Sequence, residues 1–160
     1  QPSMVRHLGL DPEKPGLTSL FTQSATLADC IQQIEGSSLY VLPAGPASAN
    51  PLELLSSEQF REMVKRLAEV CEIVIIDSPP AHLVSDAVVL STVATGVVLV
   101  VKAGATPYAV VRRSVKALHD AGAPIIGVAL NQLDFSKASR YYGSYTGYSQ
   151  QHGAYYGKPA

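Results

Sequence analysis

Tryptophan is absent from this 160-residue chain, and cysteine and methionine occur only twice each. The two cysteines, Cys30 and Cys71, form neither a CxxC pair nor a Cys/His zinc pattern. Both stand in apolar helical contexts, which favours reduced core residues of a cytoplasmic protein over a disulfide framework. The four histidines share no spacing typical of a metal site.

An excess of charge of one sign is also missing. Twelve basic and thirteen acidic residues leave a net charge of −1, so the chain has no field that would attract a nucleic acid. The longest purely apolar runs are at 73–76 and 97–101, far below the roughly 20 residues that span a bilayer. No signal peptide is recognisable at the start. With 47% hydrophobic residues, we expect one globular domain with a substantial core.

Four segments have the character of β-strands. The run "EIVIIDSPP" contains four consecutive β-branched residues at 73–76, a pattern that predicts a strand covered on both faces of a parallel sheet. The other predicted strands are "SLYVLPAG", "GVVLVVKAG" and "PIIGVALN".

Helical patterns alternate with these strands. Their predicted starts or ranges are Thr18, Thr26 with Asp29 in a capping arrangement, Ser56, Ser85 to Val93, and Pro107 to Ala121. Strands that alternate with helices predict an α/β fold with a mostly parallel sheet, right-handed crossovers and helices on both faces.

Two polar residues end predicted strands, Asp77 after "IVII" and Asn131 after "GVAL". Ligands of open parallel sheets collect outside the carboxyl ends of the strands, which makes both residues site candidates. An Asp in this position typically holds Mg²⁺ at a nucleotide site, often through water. The alternatives are that Asp77 caps the turn at 78–80 and that Asn131 forms a turn.

The phosphate-binding half of a nucleotide site is missing from these residues. No GxxxxGK[ST] loop occurs, and "AGPASANP" contains no lysine. Ser78 lacks the small-residue elbow of a hydrolase nucleophile. Arg112, Arg113 and Lys116 predict a solvated helix face, with a subunit contact as the alternative.

Six of the eight tyrosines cluster near the end of the chain: Tyr141, Tyr142, Tyr145, Tyr148, Tyr155 and Tyr156. Glycine, serine, threonine, glutamine and histidine separate them, so they cannot pack a core, and we expect a flexible tail. The alternative is a tail that carries no chemistry.

Taken together, these segments resemble the bacterial tyrosine kinases of capsule and exopolysaccharide production, which phosphorylate themselves. The resemblance is carried by "PSMVRHLGLDPEKPGLTSLF", "LYVLPAGPASANPLELLSSEQF", "EIVIIDSPPAHLVSDAVVL", "GVVLVVKAG", "GVALNQLD" and the tyrosine cluster. It implies a P-loop NTPase-like α/β fold that is incomplete N-terminally. Residues 1–135 would be the C-terminal portion of the kinase domain, and 136–160 its flexible tyrosine-rich tail.

The resemblance also implies roles for single residues. Asp77 matches the catalytic, Mg²⁺-associated aspartate, and Asn131 is similar to the residue that meets the adenine of ATP. The six clustered tyrosines match phosphoacceptors that are modified in trans. Because the phosphate loop is missing, the chain alone is expected to be inactive.

The implied setting is the cytoplasmic face of the bacterial inner membrane. Implied partners are further copies of the kinase, a membrane chain-length regulator on the same chain or a partner, and a tyrosine phosphatase. Two other hypotheses remain open: a partition-type ATPase switch, and a nucleotide-free interaction module of the polysaccharide export machinery.

Overall fold

The computed structural model of the chain describes residues 3–83 and 85–134. The chain divides into two compact units, Gln1–Pro79 and Pro80–Ala160. The predicted tail at 136–160 lies outside the described residues. No helix in the described part of the chain is long and apolar enough to cross a membrane.

The first unit consists of short elements and one longer helix. In chain order these are α1 (Ser3–His7), α2 (Leu17–Phe21), α3 (Leu27–Cys30), β1 (Gln32–Gln33), β2 (Tyr40–Val41), α4 (Pro51–Ser56) and α5 (Glu58–Val70). The antiparallel pairing of β1 with β2 is formed by two residue pairs only, Gln32 with Val41 and Gln33 with Tyr40.

Side-chain caps mark the starts of two helices of this unit, α3 and α5. The predicted capping box at α3 is confirmed, because Thr26 Oγ1 accepts from the backbone of Asp29, whose carboxylate accepts from the backbone of Thr26. The start predicted at Thr18 is wrong by one residue, since α2 begins at Leu17. Ser56 does not cap α5 either: it ends α4, and the adjacent Ser57 accepts from the Phe60 N–H.

The core of the first unit is small. Val5, Cys30, Val41 and Phe60 are its buried apolar residues, and the ring of Phe60 lies 6.3 Å from that of Phe21. Cys30 is confirmed as a core residue; burial, together with the charge of Asp29, raises the pKa of its thiol.

The strand predicted at 73–76 is not formed in this structure. Residues 73–80 have no regular secondary structure, and Ile73 and Ile75 are 75% and 87% exposed. A strand requires a neighbouring backbone to pair with its N–H and C=O groups, and no segment of the described residues pairs with this one. The high β-propensity of residues 73–76 was therefore not sufficient to form a strand.

The second unit follows the predicted order closely. Its elements are α6 (Asp86–Ser91), β3 (Val97–Lys102), α7 (Tyr108–Asp120) and β4 (Ile125–Asn131). β3 and β4 pair in parallel from Val97 opposite Ile125 to Lys102 opposite Asn131, as the α/β prediction requires. The helix α7 lies between the two strands in sequence and completes a β–α–β unit.

Apolar residues on α6 and α7 form the core of this unit. Ala87, Leu90 and Leu118 are buried, and the hydroxyl of the buried Ser114 donates to the carbonyl of Val110. The two strands leave several large apolar side chains more than half exposed: Val98, Val100, Ile126, Val128 and Leu130.

Candidate functional site

Asn131 occupies the last paired position of β4. Its ladder partner is Lys102, the last residue of β3, and its carbonyl oxygen accepts from the Ala103 N–H at 2.8 Å. The backbone of Asn131 is therefore held on a rigid element at the carboxyl edge of the parallel pair. This is the position that the sequence predicted.

The side chain of Asn131 is also held. Its Oδ1 atom accepts a hydrogen bond of 2.8 Å from the backbone N–H of Gln132. Gln132 has a φ of +56°, which is uncommon for a residue other than glycine. Residues with such a backbone conformation cluster at functional sites, which makes the turn at Gln132 a candidate site.

A cavity of about 260 Å³ opens beside these residues, entirely within the second unit. Its apolar lining comes from β3, from α7 and from residues 80–81, and its polar lining from His82, Ser114 and the residues at and just after the ends of both strands. The residues that matter for its chemistry are Leu99, Val101, Lys102, Thr106, Val110, Asn131 and Gln132. Apolar walls with a few convergent polar groups are typical of a small-molecule site.

Lys102 and Thr106 are site residues that the sequence reasoning missed. The Thr106 hydroxyl accepts from the Lys102 backbone N–H at 3.3 Å, which ties the turn after β3 together. Lys102 could have been found by the same carboxyl-end rule that selected Asn131, because it ends the predicted strand "GVVLVVKAG". Thr106 carries no comparable signal in the sequence.

The basic residues of α7 have the predicted exposure. Arg112 and Arg113 are exposed, and the Arg113 Nε donates to the Ala109 carbonyl at 3.4 Å. Lys116 pairs with Asp120 at 2.6 Å, one helical turn further on. An exposed pair of this type contributes little stability, and the exposure of these side chains agrees with the predicted solvated face. Arg113 also lines a second cavity of about 250 Å³ beside Ala117.

Asp77 belongs to the first unit, and Asn131 to the second. The Asp77 side chain is exposed and makes no hydrogen bond or ion pair with the residues that the structure describes. The hydroxyl of Ser78 donates instead to the Pro79 carbonyl, at 3.3 Å. The alternative that Asp77 caps this turn therefore has no hydrogen bond to support it, and its carboxylate is available to a ligand.

Across residues 3–83 and 85–134, no group of three or more His, Cys, Asp or Glu side chains is placed to hold a metal ion. The six predicted phosphoacceptor tyrosines lie outside the described residues.

Comparison with known proteins shows what the chain is similar to. No protein-family model matches the chain. A putative tyrosine-protein kinase, CapB of Staphylococcus aureus, is 33% identical over 131 residues, which are 82% of this chain and 58% of CapB. The tyrosine-protein kinase YwqD of Bacillus subtilis is 33% identical over 138 residues, 85% of this chain and 58% of YwqD.

A solved structure of the VpsO kinase domain matches with a TM-score of 0.78 at 38% identity, over 84% of this chain and 66% of that domain. Along most of its length, this chain is a homologue of bacterial tyrosine-protein kinases. The kinase domain of Escherichia coli ETK is similar too, with a TM-score of 0.75 at 25% identity, over 84% of this chain and 54% of that domain. The family has the P-loop NTPase-like fold that the resemblance implied. The chain spans somewhat more than half the length of the curated relatives it matches.

Proposed function

We propose that this chain is the C-terminal portion of an ATP-dependent protein-tyrosine autokinase that regulates capsule or exopolysaccharide synthesis and export. The observation that carries the proposal is the similarity to tyrosine-protein kinases along 82–85% of the chain. The cavity at the ends of β3 and β4 supports it, because a nucleotide is expected at this edge of an α/β sheet.

In this proposal Asn131 and the apolar walls of the cavity receive the adenine of ATP. Asp77 helps to hold Mg²⁺, an ion that keeps several waters and is bound through one or two carboxylates plus substrate phosphates. Its exposed carboxylate, without a partner among the described residues, fits that role. Mg²⁺ supplies charge neutralisation on the transferring phosphoryl group.

The phosphates of ATP require a further element. Backbone N–H groups and a lysine of a GxxxxGK[ST] loop normally supply the main contacts, and the 160 residues contain no such loop. We therefore assign phosphate binding to residues outside these 160, with residues 1–135 as the C-terminal portion of the kinase domain. Calorimetry on residues 1–160 should show no ATP–Mg²⁺ binding in the micromolar range; tight binding would contradict this assignment.

The tyrosines at 141–156 are proposed as the acceptors, in a tail at 136–160 that reaches the active site of another copy. Transfer in trans requires a homo-oligomer, and reversal requires a tyrosine phosphatase. Exopolysaccharide control further implies a membrane chain-length regulator, on the same chain or a partner, at the cytoplasmic face of the inner membrane. One solved relative with a TM-score of 0.78 is described as the chimerical protein CapA2B2.

The proposal is tested in a protein that carries this segment together with a phosphate loop. Asp77→Asn removes the metal-binding charge and should lower autophosphorylation by about two orders of magnitude or more, since it weakens transition-state charge stabilisation. Glu72→Gln is the matched control, because Glu72 is exposed on the same segment. Incorporation of labelled phosphate is the measurement.

Three results would contradict the proposal in different ways. Equal incorporation by Asp77→Asn and Glu72→Gln would remove Asp77 from the catalytic machinery. Nucleotide hydrolysis without tyrosine phosphorylation would favour the partition-type ATPase. The absence of a phosphate loop from the coding sequence upstream would favour the nucleotide-free interaction module.

A further inference from the structure

Asn131 and Gln132 are adjacent in sequence and both line the cavity of the second unit. The Gln132 N–H donates a hydrogen bond of 2.8 Å to Asn131 Oδ1, and Gln132 has a φ of +56°. A side chain other than glycine costs free energy in this conformation, so a positive φ here indicates that something else in the local structure maintains it.

This hydrogen bond determines the orientation of the Asn131 side-chain amide, with Oδ1 facing the Gln132 N–H. Only Oδ1 can accept from the Gln132 N–H. If the amide were rotated by 180°, the Nδ2 donor would face the N–H donor and no hydrogen bond could form. The Nδ2 group makes no hydrogen bond with the described residues, so its two donors are available. Oδ1 keeps a second lone pair, since a carbonyl oxygen has two.

We propose that Gln132 is a positioning residue for base recognition: its left-handed backbone fixes the Asn131 amide so that a donor and an acceptor face an adenine base in a defined order. This inference rests on the proposed nucleotide-binding function and adds how the base is selected. Adenine presents an acceptor at N7 beside a donor at N6, the complement of an asparagine amide, whereas guanine presents two acceptors, N7 and O6.

The size and walls of the cavity agree with a single base. A volume of about 260 Å³ lies below the roughly 300–1,000 Å³ typical of sites for drug-sized ligands. Leu99, Val101 and Val110 provide apolar surface for a flat ring. The cavity lies within the second unit, so it can be tested in the 160-residue chain itself.

The measurement is a titration of the ¹⁵N-labelled chain with adenosine, with guanosine as the specificity probe, followed by NMR. Adenosine should shift the Asn131 side-chain NH₂ signals and backbone amides around the cavity, with a dissociation constant on the order of 1 mM because the phosphates contribute nothing. Guanosine should bind more weakly.

Two substitutions of Gln132 distinguish a role in positioning the Asn131 amide from a purely structural role. Gln132→Gly accepts a positive φ at no steric cost and keeps the N–H, so adenosine affinity should fall less than in a variant that disfavours the positive φ. Gln132→Val disfavours the positive φ, and adenosine affinity should fall roughly three- to tenfold, the loss expected for one hydrogen bond. Asn131→Asp keeps the acceptor for the Gln132 N–H but lacks the donors, and should lose affinity to a similar extent.

Equal affinities of Gln132→Gly and Gln132→Val would overturn the positioning role while leaving the nucleotide site in place. If Gln132→Val fails to fold, unchanged binding by Asn131→Asp would still overturn the donor assignment. Absence of any adenosine-dependent shift, or equal shifts with guanosine, would overturn base selection in this cavity. The kinase proposal itself is decided separately by phosphate incorporation in the Asp77 variants.

Discussion

Gly16 and Gly45 approach so closely that a Cβ atom on Gly16 would lie 2.7 Å from the Gly45 Cα and 2.5 Å from the Pro43 carbonyl oxygen. The Leu17 N–H donates to that same carbonyl at 2.8 Å, and the Thr18 hydroxyl donates to the Ala44 and Pro46 carbonyls. The loop after β2 is thereby attached to the beginning of α2, and glycine at 16 is what permits the contact.

Gly16→Ala should therefore destabilise the chain. The clashing atoms are backbone and cannot rotate away, so we expect a loss of about 3 kcal/mol, the upper part of the range for overpacking. Gly36→Ala is the control: Gly36 has a φ of +70° and no atom within 4 Å of an added Cβ, so only the backbone cost of about 1 kcal/mol applies. Urea unfolding measures both. A Gly16→Ala variant no less stable than Gly36→Ala would contradict the close approach.

Gln32 provides a second test of the first unit. Its buried side-chain amide accepts from the Asp11 N–H at 2.9 Å and donates to the Asp11 carbonyl at 3.0 Å. Gln32→Ala leaves both backbone groups without these partners and should cost about 2 kcal/mol. Gln33→Ala, next to it on β1, removes only an exposed hydrogen bond to the Ser37 carbonyl and should cost no more than about 1 kcal/mol. Equal unfolding midpoints for the two variants would refute the importance of the Asp11 contact.

The capping box of α3 predicts a pH dependence. Hydrogen bonds from the Thr26 hydroxyl and then the Thr26 backbone N–H lower the pKa of the Asp29 carboxyl below its ordinary value. The stabilisation is therefore fully present above the ordinary carboxyl pKa and is lost as the pH falls through the lowered one. An NMR titration of the Asp29 carboxyl carbon should show this pKa moving upward in Thr26→Ala. An identical titration in both proteins would mean that the hydroxyl bond is absent in solution.

The tyrosine cluster leads to a prediction about assembly, which rests on the proposed autokinase function. Each phosphotyrosine adds about −1.5 to −2 charges near neutral pH, so six add roughly −9 to −12, against a formal net charge of −1 for the whole chain. Copies of the kinase that bind one another's tyrosine clusters should repel one another as the tyrosines become phosphorylated. Light scattering on the protein that includes a phosphate loop should show smaller particles before phosphatase treatment than after it.

The number of acceptors should matter more than their identity. Any single Tyr→Phe change should have a mild effect, and the sixfold variant should lose phosphate incorporation and keep the large assembly under all conditions. Equal particle mass with and without phosphatase would rule out release by charge repulsion, even if the tyrosines prove to be the acceptors.

The sequence alone determined the order of the second unit and the placement of Asn131. Apolar runs, the proline at 107 and the glycine at 122 with its φ of +74° are local signals, and β3, α7 and β4 lie where those signals predict. The carboxyl-end rule then placed Asn131 correctly, because β3 pairs with β4 in parallel in the structure. The capping box of Thr26 and Asp29 is local in the same sense.

Two kinds of feature were decided by the tertiary structure. Some depend on contacts between residues that are distant in sequence, and others on a backbone geometry that the residue type does not encode. Ile73 and Ile75 have high β-propensity, but a strand exists only where another backbone pairs with it, and none of the described residues does. The choice of Ser57 over Ser56 as a cap follows from where α4 ends. The proximity of Gly16 to Gly45 and the left-handed Gln132 beside Asn131 likewise emerge only when the chain folds, because packing sets them and composition does not.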